Sequence, residues 1–381
     1  MPHISERELE LPDAVIGNLI RIAAEDKKII SLGPGEPDFP APPAIAEYTK
    51  KIAGKASHYS PPGGRHDLKE SIVKKLQKEN RIRCSSENIV VTSGSQEALL
   101  LATACTLDVS EQMIIPNPSF LAYLPTIELF NAAPVFVKLA EEENFEINPD
   151  NVKKLIGKKT EAILINTPAN PTGTVIRKKT LEELADIAVD HDLYIFSDEA
   201  YEKIIYDAKH ISIGSLNGME DYTVTFQTFS KTYAMCCYRL GYVCAPANLA
   251  EAMTKMHVYS TICAPTISQM LGVKALSLPD TYTKKMVREY RRRRDMLVSR
   301  LNEMGLSTVK PEGAFYTFSK IPSKDSKKFA MNLLHKAHVA VVPGVEFGSF
   351  GEGYIRCSYA TDYKLIEKAM DGMENFINKQ K

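Results

Sequence analysis

Between residues 89 and 226, short apolar runs of three or four residues recur, each closed by small or polar residues. This rhythm constrains the fold more than any other feature of the chain. Ile89-Val90-Val91-Thr92 is β-branched and ends in Ser93-Gly94-Ser95, and an apolar helix is expected from Glu97 to Leu107. Ala162-Ile163-Leu164-Ile165 is broken by Asn166-Thr167-Pro168, and Leu193–Phe196 and Val224–Phe226 are further runs of the same kind. Thr180-x-x-Glu183 reads as a capping box opening a helix with Leu181, Leu184, Ala185 and Ala188 on one face. Continuous apolar strands separated by helices predict an α/β fold, a mostly parallel sheet covered by helices.

The chain has 381 residues, enough for a large domain and a smaller one. The alternating stretch predicts a large domain over 46–275. Beyond it the pattern changes to a long polar helix, Thr281–Glu303, and short strands around Ala314–Phe318, Ala340–Val342 and Tyr354–Ser358. That predicts a smaller α+β domain over 276–381. Residues 1–45 hold a helix at about Ala14–Asp26 and the turn Gly33-Pro34-Gly35-Glu36-Pro37, and read as an arm packing on the small domain.

Acidic and basic residues balance at 47 each, which gives no electrostatic reason to expect nucleic acid or a membrane surface as partner. The tetrad Arg291–Arg294 is expected to be solvated on the long helix. Seven cysteines without a CxxC point to a reducing, cytoplasmic setting, with Cys236 and Cys237 read as buried packing residues. No apolar run approaches the roughly 18 residues of a membrane span, and the first residues lack the apolar core of a signal peptide. The eight histidines show no metal-binding spacing, so no metal is expected.

Five segments place polar residues just past a strand end, where ligands bind in open α/β sheets. Gly94-Ser95-Gln96 precedes a helix whose N-terminal amides favour phosphate, although a tight turn with a cap would look the same. Asn166-x-Pro168-x-Asn170-Pro171-Thr172-Gly173 is a loop stiffened by proline that presents Asn170. Asp198 in Ser197-Asp198-Glu199-Ala200-Tyr201 needs a cationic partner or several hydrogen bonds if buried, or it caps the next turn. Lys231 in Thr228-Phe229-Ser230-Lys231-Thr232 could act as an amine nucleophile on a carbonyl. Arg239, eight positions on, has the fork geometry that suits phosphate.

The ordered set resembles the class I/II aminotransferases, the fold-type I pyridoxal-phosphate enzymes, from Gly33-x-Gly35-Glu36-Pro37-Asp38 to Tyr354-Ile355-Arg356. The runs Ser230-Lys231-Thr232-Tyr233-Ala234-Met235 and Arg239-Leu240-Gly241-Tyr242 carry most of the likeness. The resemblance implies pyridoxal 5′-phosphate as cofactor. Lys231 resembles the catalytic lysine that carries it as a Schiff base. Asp198 resembles the carboxylate paired with the ring nitrogen, and Asn170 and Tyr201 the donors to the ring oxygen. Ser95, Gln96, Thr228, Ser230 and Arg239 fall where phosphate ligands lie, and Phe120 where an aromatic ring stacks. Tyr59 resembles a tyrosine reaching the phosphate of the neighbouring subunit, which implies a homodimer with shared active sites. Arg356 resembles the clamp on the substrate α-carboxylate, with Gly35 and Asn170 beside it.

Two departures stand out. Cys236-Cys237-Tyr238 replaces a frequent Thr-Gly-Trp, and Phe120-Leu121 a frequent Tyr-Pro. The expected activity is transfer of the amino group of an L-amino acid, aspartate or aromatic or both, to a 2-oxo acid such as 2-oxoglutarate. Other chemistries of the same fold stay open: a β-lyase, an aminocyclopropane-carboxylate-type synthase, or alanine as donor. Arg65, near Tyr59, could supply a second cation, although an arginine at a helix start is usually solvated, and Phe39 and Ile262 are expected as apolar neighbours of the substrate.

Overall fold

The structure, a computed structural model, describes residues 28–379 together with 3–5, 17, 22, 25 and 26. Most of the helix expected at about Ala14–Asp26 lies outside the described residues.

Twelve strands are described: β1 (Ile30–Ser31), β2 (Ile89–Thr92), β3 (Gln112–Asn117), β4 (Ala133–Lys138), β5 (Thr160–Asn166), β6 (Tyr194–Asp198), β7 (Thr223–Thr228), β8 (Gly241–Cys244), β9 (Tyr316–Lys320), β10 (Val339–Ala340), β11 (Val342–Pro343) and β12 (Tyr354–Ser358). Seven of them form the main sheet in the order β2-β8-β7-β6-β5-β3-β4. The pairs β4–β3, β3–β5, β5–β6 and β6–β7 are parallel, and only β8 runs against its neighbours. The expected mostly parallel α/β sheet is therefore present.

The apolar runs are continuous because both faces are covered. Along β5, Ile163 and Ile165 pack with Leu181, Leu184 and Ala188 of the helix Lys178–His191. The alternate residues Ala162 and Leu164 pack on the other side with Ala98 and Leu101 of the helix Ser95–Thr106 and Leu249 and Met253 of the helix Ala247–Ser260. Strand period two thus sends successive side chains into two separate cores. Ile163, Leu164 and Ile165 are each at most 1% exposed. Burial of such side chains stabilises by roughly 1.5–3 kcal/mol each.

The helix expected to open at a Thr180 capping box begins two residues earlier, at Lys178, with Arg177 as its cap. Glu146 explains the difference. Its Oε1 accepts from Arg177 N (2.8 Å) and from the Thr180 hydroxyl (2.8 Å), so a carboxylate from outside the helix supplies the acceptor that the box would have supplied.

A second sheet, β11-β12-β9, is antiparallel, and β1 pairs in parallel with β10. The single strand expected at Ala340–Val342 is two strands in different sheets, split at Val341. The strand expected from Ala314 begins at Tyr316, because Ala314 has φ 56° and cannot extend the ladder. The long helix runs from Thr281 to Glu303, as the sequence predicts. Its arginine tetrad is not solvated throughout. Met286, Tyr290, Leu297 and Leu301 form the buried stripe of a 3.6-residue period, and Arg293 and Arg294 fall inside that stripe. Arg293 donates to both oxygens of Asp38 (2.9 and 2.8 Å) and to Glu289. Arg294 reaches the Pro311 carbonyl (2.8 Å), pairs with Asp207 (2.7 Å) and lies over the Tyr206 ring. Two of the four cations are thus spent on internal acids and carbonyls. No described helix is long and apolar enough to cross a membrane.

Candidate active site

Parallel strands put their carboxyl ends at one edge of the sheet, and the chemistry-bearing residues gather there. Asn166 ends β5, Asp198 ends β6 and Thr228 ends β7. Ser95 opens the helix three residues beyond the end of β2, and Phe120 follows β3. With Gly35, Gln96, Asn170, Tyr201, Ser230, Lys231, Arg239, Tyr316 and Arg356 they line one cleft of about 240 Å³. Every residue expected to hold the cofactor or the substrate α-carboxylate lines this cleft except Tyr59, which is 79% exposed. A larger cavity of about 530 Å³ adjoins it, sharing Gln96 and Phe120 and lined mostly by apolar groups such as Leu124, Leu129 and Phe136. The ionisable groups converge in the smaller cleft, which is therefore the candidate reaction site.

One end of the cleft is built for an anion. The helix Ser95–Thr106 points its N-terminus there, after Gly94 at φ 90°. A side chain on Gly94 would meet the Arg239 guanidinium at 2.6 Å, and one on Gly241 would lie 2.5 Å from Ser95 N. The two glycines let a helix start, a strand start and an arginine meet in one cup. Arg239 itself sits at φ 48° and donates to the carbonyls of Ser93 (3.3 Å) and Cys236 (3.2 Å). Thr228 caps the single turn Phe229–Thr232 by accepting from Ser230 N (3.1 Å), and its hydroxyl also contacts the Ser230 hydroxyl (3.0 Å). Lys231 therefore stands on a helical turn, not in an open loop.

Lys231 Nζ donates to Gly35 O at 2.5 Å and lies 5.9 Å from the centre of the Tyr201 ring. Burial lowers its pKa, with Arg239 and Arg356 pushing the same way and Cys236 and Glu36 opposing. A lysine so placed is a better nucleophile and base than one in water. Asp198 accepts from Tyr123 OH (2.7 Å) on Oδ2 and from Ala200 N (3.1 Å) on Oδ1. Burial raises its pKa, and these two hydrogen bonds oppose the rise. Asn166 ties the loop to the strand, giving Nδ2 to Asp198 O (2.9 Å) and accepting Asn170 N (2.7 Å).

Arg356, on β12, is 1% exposed. Nη1 donates to Asn170 Oδ1 (3.0 Å) and Nη2 to Gly33 O (2.5 Å), while Nε has no partner among the described residues. Neither partner is charged. The guanidinium lies 4.4 Å from the Tyr316 ring centre and 4.8 Å from that of Phe347, and burial lowers its pKa. A buried cation paired only with neutral groups is costly unless an anion arrives. An anion cup, a half-buried carboxylate, a half-buried amine and an orphaned guanidinium nitrogen together fit a phosphorylated pyridine aldehyde and an amino acid carboxylate.

Tyr123 and Tyr316 had no role in the sequence argument. Tyr316 OH shares a 2.6 Å hydrogen bond with Tyr201 OH. The strand pattern put Tyr316 in the small sheet, but its place in the cleft depends on how that sheet meets β6. Three expectations are corrected. Phe39 packs edge-on against Tyr290, and Ile262 is 41% exposed, so neither lines the cleft. Arg65 is committed to Asp67 at 2.8 Å. Cys237 is exposed and Cys236 only partly covered, its thiol donating to Ser230 O (3.2 Å), because the turn Cys236–Tyr238 buries none of its residues.

Behind Asp198, Glu199, Glu202 and His210 bring possible metal ligands together. Their oxygens are already engaged. Glu199 accepts from Ser197, Ser212 and Gln227 and meets His210, while Glu202 takes Lys75 and Asn80. Burial would push Glu202 up, but Lys75, His210 and Lys203 together outweigh it and hold the carboxyl at about 2. The group reads as a hydrogen-bonded support for the end of β6.

Residues 27–373 match the family model of aminotransferase class I and II. An aspartate aminotransferase of Pyrococcus abyssi is 46% identical over 96% of each chain, and aromatic-amino-acid aminotransferase 2 of Thermococcus litoralis is 43% identical over 99% of each. Among solved structures, aspartate aminotransferase from Thermus thermophilus with maleate superposes with a TM-score of 0.95 at 32% identity, covering 99% of this chain and 100% of its own. With a match of this extent around a cleft of this chemistry, the chain belongs to the class I and II aminotransferases, a family of pyridoxal-phosphate-dependent enzymes.

Proposed function

We propose that the cleft holds pyridoxal 5′-phosphate and that the enzyme moves the amino group of aspartate or an aromatic amino acid to a 2-oxo acid such as 2-oxoglutarate. The observation that carries this reading is the convergence of Lys231, Asp198, Asn170, Arg239 and Arg356 in one cleft. Bound there, the cofactor supplies an electron sink for the charge left when the substrate Cα proton departs. Ser95, Gln96, Thr228, Ser230 and Arg239 take its phosphate, with the helix N-terminus adding favourable amides. Asp198 meets the ring nitrogen, Asn170 and Tyr201 the ring oxygen, and Phe120 covers one face. Asn170 has already given Oδ1 to Arg356, which leaves its NH2 as the donor. Lys231 Nζ would hold the cofactor covalently and, as a free amine, would be the base that takes the proton from Cα. Arg356 takes the α-carboxylate beside Gly35, and fixing that group orients the Cα–H bond.

A single anion clamp shared by all amino acids, next to a largely apolar cavity, supports a relaxed donor range. The best acidic and best aromatic donors should differ in kcat/KM by less than about 100-fold, roughly 2.7 kcal/mol. Steady-state kinetics with 2-oxoglutarate and a panel of donors measures this. A gap several powers of ten wider points to a dedicated recognition group and sinks the relaxed-range reading.

The working form is a homodimer in the cytoplasm. Tyr59 is 79% exposed, away from its own cleft. Its loop is held by Thr266 Oγ1 on His58 O (2.7 Å) and by His257 Nδ1 against Pro62 O (2.8 Å). Met256, Val258, Tyr259 and Ile262 are exposed apolar residues on the helix that carries His257 and just beyond its end. All seven cysteines are free, in keeping with a reducing compartment. The division 1–45, 46–275 and 276–381 puts the seven-stranded sheet in the second segment and the sheet β11-β12-β9 in the third. Chains carrying Lys231→Ala, mixed and reassembled with chains carrying Tyr59→Ala, should form heterodimers with one complete site and more activity than either parent. A fully active monomer by sedimentation would refute shared sites.

A further inference from the structure

Asp198 does not reach the cleft unaided, and the side chain that holds it comes from an element with no ligand role in the sequence argument. Tyr123 is the first residue of the helix Tyr123–Glu128 and is 1% exposed. Its hydroxyl donates to Asp198 Oδ2 at 2.7 Å, across 75 positions of sequence. The other carboxylate oxygen, Oδ1, accepts from Ala200 N at 3.1 Å. The Tyr123 ring meets Phe120 edge to face, with centroids 5.5 Å apart and planes at 82°. Phe120 and Asp198 both line the cleft. One buried phenol thus braces two walls of the site.

We propose that Tyr123 is the positioning residue for Asp198, holding its carboxylate as an oriented anion at the cleft; this rests on the reading above in which Asp198 meets the cofactor ring nitrogen. The phenol donates to the carboxylate, and a donor on a carboxylate oxygen favours the charged form. Burial, and then the charge on Asp198, raise the Tyr123 pKa, so the phenol stays a donor throughout the working range. The charged and titratable groups around Asp198 are Tyr123, Glu199 behind it, and Lys231 and Tyr201 on the cleft side. Lys231 favours the same anion, and Glu199 opposes it. Without the phenol, Oδ2 would keep its charge with no donor. The carboxylate would then pull harder on a proton shared with a ring nitrogen and swing more freely about its side-chain bonds.

The test compares holoenzymes carrying Tyr123→Phe, Asp198→Asn and Tyr206→Phe. Tyr206 is the control: a buried phenol that donates to a backbone carbonyl, Ala314 O (2.5 Å), away from the site. Removing a hydrogen bond to a charged group corresponds to about tenfold to hundredfold. Tyr123→Phe should lower kcat by about that factor with KM for the donor held within about threefold. The pH midpoint of the bound cofactor's absorbance should move by about one unit, and equilibrium dialysis should show about tenfold weaker retention of pyridoxal phosphate. Tyr206→Phe should lower the melting temperature and leave that midpoint in place. An unchanged kcat and midpoint in Tyr123→Phe, or an equal shift in Tyr206→Phe, overturns the proposal. If Tyr123→Phe does not fold, Tyr123→difluorotyrosine keeps the ring and strengthens the donor; an unmoved midpoint there overturns it equally. If Asp198→Asn is inactive while Tyr123→Phe is normal, only the positioning role falls. If Asp198→Asn is itself active, the reading of Asp198 has failed.

Discussion

Lys231→Ala should lower turnover by at least about 10⁴-fold, the upper end of what one positioned acid–base group contributes. The reason lies in the surroundings of Nζ. Its one hydrogen bond is to the Gly35 carbonyl, and burial lowers its pKa. Among the described residues no other amine lines the cleft, so none of them can take over. The protein should still fold, because truncation removes a buried cation whose only hydrogen bond is to a neutral carbonyl. A melting temperature within a few degrees of the parent, beside lost turnover, separates a chemical defect from a structural one. Borohydride reduction of the parent holoenzyme followed by peptide mapping should place the label on Lys231. A label on any other lysine removes the assignment.

Asp198→Asn should lower kcat by about 10²–10³-fold, the range found when one preorganised electrostatic group is removed from a shielded site. Asp198→Glu, which keeps the charge at the cost of geometry, should lose less. The stability effect should have the opposite sign. Burial raises the pKa of this carboxyl, so keeping it charged costs the cofactor-free protein stability. An amide there has no charge to desolvate, and cofactor-free Asp198→Asn should melt no lower than its parent. Near-normal turnover in the amide variant would remove Asp198 from the mechanism.

Much of this was legible in sequence because it is local. A strand end followed by a polar loop needs only neighbouring residues, and the segments around Ser95, Asn170, Asp198 and Lys231 all sit as that pattern implied. The helix Thr281–Glu303 was legible in its approximate extent, since its period runs unbroken for 23 residues. Tyr123 was not. Its meaning depends on β3 and β6 carrying their following turns to the same edge, on either side of β5, which a linear pattern does not specify. Arg293 and Arg294 failed differently. Their charge suggested solvent, yet they share a face with Tyr290 and Leu297, and the acids that meet them, Asp38 and Asp207, lie far away in sequence. The start of the helix at Lys178 was misplaced for a related reason, since the acceptor at its N-terminus comes from Glu146.

The two sheets also divide the labour in a way that bears on how such an enzyme can change over time. On the reading proposed here, the cofactor's handles are fixed to the carboxyl edge of the seven-stranded sheet, whereas Tyr316 and Arg356 ride on the adjacent strands β9 and β12 of the small one. At the cleft the two are tied by Arg356 to Asn170 and by Tyr316 to Tyr201. Substitutions that tilt or reshape the small sheet can therefore retune which donor is accepted and leave the bond-breaking machinery intact. An architecture of this kind can diversify its diet without reinventing its chemistry.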